Sequence, residues 1–160
     1  VVELARFCKE QGYTLRFIEY MDVGTRNGWV MEDVFSAREI IEQIDAVMPI
    51  EPIASGYFGE VAERWRYRDG GGEIGMIASV TQPFCGTCTR LRISPKGSIY
   101  TCLFAQKGIS LRDPMRAGAS DETIAGLMRD VWRNRIDRYS EIRTNETARS
   151  SKIEMNYIGG

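Results

Sequence analysis

The sequence predicts an α+β fold in two parts. The first is the last strand and helices of a parallel β/α layer over residues 1–50, and the second is a small lobe of short antiparallel strands and helices over residues 51–160. Three observations predict it. A helix, a glycine stop and an apolar strand follow one another at the start, as in one αβ step of a parallel sheet or barrel. From about residue 50 the texture changes to short segments punctuated by glycine and proline. Between the short segments lies a cysteine-bearing loop.

The elements are justified in chain order. Val1, Leu4, Ala5 and Cys8 recur at helical spacing and Gly12 stops the helix. Leu15, Phe17 and Ile18 make a strand over residues 14–20. Residues 21–29 form a polar loop. Ser36-Ala37-Arg38-Glu39 is a capping box that opens a helix with Ile40, Ile41, Ile44, Val47 and Met48 on its apolar face, ended by Pro49 and Pro52. Residues 62–68 and 73–80 read as a hairpin around Asp69-Gly70-Gly71-Gly72. Arg90 to Ser94 and Ser98 to Leu103 read as strands joined by Pro95-Lys96-Gly97. Ser120 caps a helix whose stripe is Ile124, Leu127, Met128, Val131 and Trp132. Residues 135–152 are polar and charged and read as a loose segment.

Composition narrows the function classes. Net charge is −1, so no general basic field draws a nucleic-acid polymer. No apolar run approaches the roughly 18 residues of a membrane helix, and the N-terminus lacks the layout of a signal peptide. The chain starts inside a helix and without Met, as expected of a piece cut from a longer protein. It has four Cys and no His. Three of the Cys are clustered, which favours a metal site in the cytoplasm over a disulfide framework.

Cys85-Gly86-Thr87-Cys88 is a C-x₂-C knuckle, and Cys102 follows after thirteen residues that read as strand, turn and strand. A hairpin of that length returns its far end toward the knuckle, so three thiolates can converge. Gly86 is expected to let the loop turn back so that amides face the sulfurs. Two readings stay open. A structural zinc wants four ligands, and here the module would be a non-catalytic zinc-stapled binding domain. An iron–sulfur cluster held by three Cys leaves one iron for a non-protein ligand. Arg90 and Arg92 share one face of the strand after Cys88, with Leu91 and Ile93 on the other. Two guanidiniums there suit an anion, unless they pair with Glu73 or Asp69.

Taken together, Arg16-Phe17-Ile18-Glu19-Tyr20-Met21, Phe84-Cys85-Gly86-Thr87-Cys88-Thr89-Arg90-Leu91-Arg92, Tyr100-Thr101-Cys102-Leu103 and the terminal Gly159-Gly160 resemble the C-terminal half of the GTP 3′,8-cyclase family. These are radical S-adenosylmethionine enzymes of molybdenum-cofactor biosynthesis. The resemblance implies an incomplete (β/α) radical-SAM barrel with two [4Fe–4S] clusters. The cluster on Cys85, Cys88 and Cys102 would offer its open iron to the guanine of GTP. Arg90, Leu91 and Arg92 would lie in the GTP site, Met21 would line the S-adenosylmethionine pocket, and Gly159 and Gly160 would reach into the active site. A hydrogen leaves ribose C3′ for the deoxyadenosyl radical, and C3′ then bonds to guanine C8. The full-length enzyme is expected to be a homodimer whose product passes to cyclic pyranopterin monophosphate synthase. This sequence lacks the family's C-x₃-C-x₂-C motif, which holds the second, radical-generating [4Fe–4S] cluster. It is therefore expected to carry the substrate half and to be inactive alone.

Overall fold

A computed structural model describes residues 1–148, 150 and 152–158. The fold is α+β, and the chain divides into two compact units. The first comprises Val1–Met21 and Val30–Cys88, and the second Asp22–Trp29 with Thr89–Gly160.

The first unit is a four-stranded sheet packed by two helices. Helix α1, Val2–Glu10, leads into strand β1, Leu15–Ile18. Gly12 adopts φ +72°, a conformation open to glycine at little cost. There the Tyr13 amide donates to the Cys8 carbonyl at 2.8 Å and closes the helix. Helix α2, Ala37–Asp45, begins at the expected capping box: Ser36 Oγ accepts from the Glu39 amide and Glu39 accepts from the Ser36 amide. Strands β2 (Ile50–Ile53), β3 (Glu63–Tyr67) and β4 (Glu73–Ile77) follow.

The sheet order is β1-β4-β3-β2, with β1 parallel to β4 and the other pairs antiparallel. The expected hairpin is therefore present, but β4 also hydrogen-bonds into the layer begun by β1. Residues 50–53, read only as a helix end, form an edge strand. Pro52 is tolerated there because an edge strand does not need every N–H. Ala5, Ile40, Ile44, Met48, Ile50, Tyr67, Ile74 and Met76 make the core. At the other edge, among the described residues, β1 pairs on one side only, and Ile18 on it is exposed along with Leu4, Phe7 and Tyr13.

The second unit has a three-stranded antiparallel sheet of β5 (Arg92–Ile93), β6 (Ser98–Tyr100) and β7 (Ile109–Ser110). Helices α3 (Arg112–Arg116), α4 (Asp121–Arg133) and α5 (Asn145–Ala148) complete it. Ser120 caps α4 as expected, its hydroxyl accepting from the Thr123 amide. The stretch 135–152 is not loose where it is described. It contributes a 3₁₀ turn at Tyr139–Glu141, helix α5, and two buried cations, Arg143 and Lys152. Composition misled here because buried charges that are paired look the same in a sequence as solvated ones. Among the described residues no helix is long and apolar enough to cross a membrane.

Candidate functional site

The knuckle forms a tight turn at the end of the first unit. Cys85–Thr87 is a 3₁₀ turn in which the Thr87 amide donates to the Phe84 carbonyl and the Cys88 amide to the Cys85 carbonyl, both at 3.3 Å. A Cβ built at Gly86 would meet nothing within 4 Å, and its φ is not positive. The turn therefore does not demand glycine for its backbone, contrary to the sequence argument. What glycine does there is leave the outer side of the loop open.

Cys102 belongs to the second unit. The expected hairpin forms but is shorter than residues 90–94 and 98–103: β5 and β6 pair with Arg92 opposite Tyr100 and Ile93 opposite Ile99. Its turn is closed by the Gly97 amide donating to the Ser94 carbonyl at 2.9 Å, with Gly97 at φ +74°. Cys102 lies two residues past Tyr100, so the hairpin register returns it toward the Arg90 end. The Phe104 amide donates toward Cys102 Sγ, 3.4 Å away, as amides around metal-bound sulfurs do. Among the described residues no group of three or more Cys, Asp or Glu side chains is gathered in metal-holding geometry. The donor chemistry nevertheless suits an iron–sulfur cluster. All three sulfurs are on half-buried residues next to turns, no His is available, and three soft thiols leave one coordination position over.

Arg90 and Arg92 are half-buried, whereas Ile93 is 55% exposed. On the two-residue strand β5 the apolar Ile93 is thus the exposed side chain and Arg92 the sheltered one; Arg90 lies before the strand, so the shared strand face expected from the sequence does not form. Glu73 is held by Arg64, with contacts of 2.8–3.1 Å, and Asp69 by Lys9 at 2.5 Å. The carboxylates that the sequence offered as partners for Arg90 and Arg92 are therefore engaged by other cations. Leu91 lines a cavity of about 400 Å³ with Thr89, Met128, Arg129, Trp132 and Arg133. Met21 is half-buried just beyond β1. Gly159 and Gly160 lie outside the described residues.

Sequence reasoning missed two buried carboxylates that flank Met21. Glu19 is 3% exposed and accepts from the amides of Ala37 at 2.9 Å and of Val80 and Thr81 at 2.8 Å, as well as from Thr81 Oγ1. It ties the end of β1 to the start of α2 and to the segment after β4. An acidic residue directly after an apolar strand was its only sequence signal.

Asp22 is 1% exposed. Arg143 Nε donates to it at 2.7 Å, Lys152 Nζ at 2.5 Å, and the Tyr139 hydroxyl donates as well. Burial pushes its carboxyl up, but hydrogen bonds from Lys152 and Tyr139 and the charges of Arg143 and Lys152 outweigh that and hold it below the usual range. A depressed native pKa means stabilisation that is complete above the unfolded pKa and lost as pH falls through the native one. The stability gap between the wild type and Asp22→Asn should therefore be full above about pH 5 and narrow progressively below about pH 4. Urea denaturation across that range measures it, and a gap independent of pH would show that the charge of Asp22 is not what stabilises.

Residues 13–141 match the protein family described as Molybdenum Cofactor Synthesis C. A protein named GTP 3′,8-cyclase from Acidothermus cellulolyticus is 46% identical over 185 aligned positions, which take in 100% of this chain and 51% of that protein. One of the same name from Synechococcus sp. (strain WH7803) is 47% identical over 160 residues, 100% of this chain and 45% of that protein. Another from Staphylococcus carnosus is 41% identical, again over 100% of this chain and 48% of its own length. The chain spans about half the length of the curated relatives it matches.

Proposed function

The chain belongs to the Molybdenum Cofactor Synthesis C family, and from that premise we propose that it is the GTP-binding half of a GTP 3′,8-cyclase. The whole protein would convert GTP to (8S)-3′,8-cyclo-7,8-dihydroguanosine 5′-triphosphate in the cytoplasm, with S-adenosylmethionine as cofactor. The observation that carries the reading is likeness along the entire chain to relatives of that name, joined to a three-cysteine donor set. The unpartnered edge of β1 supports the further reading of a (β/α) radical-SAM barrel whose other strands lie in the remaining half.

In this reading Cys85, Cys88 and Cys102 would hold a [4Fe–4S] cluster. When bound, the cluster supplies a Lewis-acidic iron to which a guanine can coordinate. Arg90 and Arg92 grip the triphosphate, as two half-buried guanidiniums two residues apart are suited to do. Leu91 contributes an apolar wall between them. Met21, fixed between Glu19 and Asp22, presents a thioether and methylene surface to S-adenosylmethionine. Gly159 and Gly160 close over the substrate, since a tail without side chains can approach it closely. Nothing in this chain generates the radical, so alone it binds GTP without cyclising it.

The test is anaerobic reconstitution of the 160-residue chain with iron and sulfide, followed by metal analysis and equilibrium dialysis against GTP. The reading expects a brown protein with about four irons per chain, GTP binding, and no cyclised product. A colourless chain that retains one zinc and ignores GTP would establish the zinc-stapled module instead.

A further inference from the structure

Among the described residues of the second unit, buried charge gathers at the loop that follows Met21, and its partners there come from residues 139–152. Asp22 binds Arg143, Tyr139 and Lys152. Lys152 Nζ also donates to the Asp22 carbonyl at 2.9 Å and the Ala148 carbonyl at 3.0 Å, so all three of its protons are used. Both cations lie against an aromatic cage. The Arg143 guanidinium sits 5.0 Å from the Phe104 ring centroid, and the Lys152 ammonium 4.9 Å from that of Tyr139. Phe104 and Tyr139 stack at 4.5 Å.

Three residues further along the loop a second contact repeats the pattern. Glu154 accepts from the Thr25 amide at 3.1 Å and from its hydroxyl at 2.8 Å. Gly24 between them has φ +67°, and a Cβ there would sit 2.2 Å from the Glu154 carboxylate. Gly24 is thus the close approach that lets Glu154 reach the loop. Beyond Glu154, the 3₁₀ turn Met155–Tyr157 leads to Ile158, which is fully buried.

We infer that Asp22 is a positioning residue: with Thr25 it clamps the segment 152–158 through Lys152 and Glu154, so that the loop beginning after Met21 dictates the course of the chain's C-terminal segment. The physics favours a clamp over general packing. Lys152 and Glu154 are anchored mainly by directional, charge-assisted hydrogen bonds, which fix geometry more sharply than apolar contact does. Two cations facing one carboxylate also make that carboxylate indispensable, because removing it leaves like charges buried together. The consequence for turnover rests on the function proposed above, in which this segment leads into Gly159-Gly160. The clamp itself does not rest on it.

Hydrogen–deuterium exchange of the 160-residue chain, read by mass spectrometry, tests the clamp independently of GTP. Lys152→Met keeps the stem and the Asp22–Arg143 pair but removes the ammonium. Amides of 152–158 are expected to exchange at least tenfold faster, with β3 and β4 unchanged. Asp22→Asn should raise exchange in both 22–29 and 152–158 and lower global stability. Adding Lys152→Met to Asp22→Asn removes one of the two uncompensated cations, so stability should recover in part while 152–158 stays fast. Wild-type exchange in 152–158 for Lys152→Met, or its return to wild-type rates in the double variant, would overturn the clamp. The exchange readout needs no GTP, so a failed clamp and a failed functional reading are distinguishable.

Discussion

Arg90→Ala combined with Arg92→Ala is expected to weaken GTP binding to the reconstituted chain by roughly 10²- to 10⁴-fold. A hydrogen bond to a charged group is worth about 1.5–3 kcal/mol, so losing one contact at each guanidinium costs about 3–6 kcal/mol. At about 1.4 kcal/mol per decade, that gives the range stated. Folding should survive. The β5–β6 pair is anchored by Ile99 and Tyr100, both buried. Replacing both by Lys keeps the charge but removes the planar fork, so it should give an intermediate loss. Calorimetric titration with GTP measures all three. Unchanged affinity in the alanine pair would remove the anion site from these residues.

The second large effect is on stability. Glu19→Ala is expected to destabilise the first unit by on the order of 3–5 kcal/mol. Its carboxylate is the acceptor for three backbone amides and one hydroxyl in a site that is only 3% exposed. Removing it strands those donors away from water. Glu19→Gln should be only a little milder, because the carboxamide turns an NH₂ toward groups that themselves donate. A lowered urea midpoint with an unchanged slope would show this. A shift under about 1 kcal/mol would mean that water replaces the carboxylate, and that Glu19 does not hold Met21 in place through β1 and α2.

Much of the local structure was legible because its signals are local. The capping box at Ser36–Glu39 and the Ser120 cap bond as their sequences predict, and the turns at Asp69–Gly72 and Pro95–Gly97 close their hairpins. What could not be read is long-range pairing. Nothing near Ile74 or Leu15 announces that their strands run parallel and adjacent. Pro52 hid an edge strand, since proline is read as a breaker unless the edge is known. Arg143 and Lys152 were read as solvated because their common partner, Asp22, lies more than 100 positions away. The sheltered face at Arg92 was likewise inverted from the usual expectation, since alternation says which residues share a face but not which face is covered.

In the proposed function Cys85, Cys88 and Cys102 hold a cluster whose free iron takes a nucleotide base. Electron paramagnetic resonance of the reconstituted, reduced chain, recorded with and without GTP, tests it most directly. The expected result is a cluster signal that shifts on adding GTP, does not shift with inorganic triphosphate, and vanishes when Cys102 is replaced by Ser. A cluster signal indifferent to GTP, or one that persists in Cys102→Ser, would contradict it.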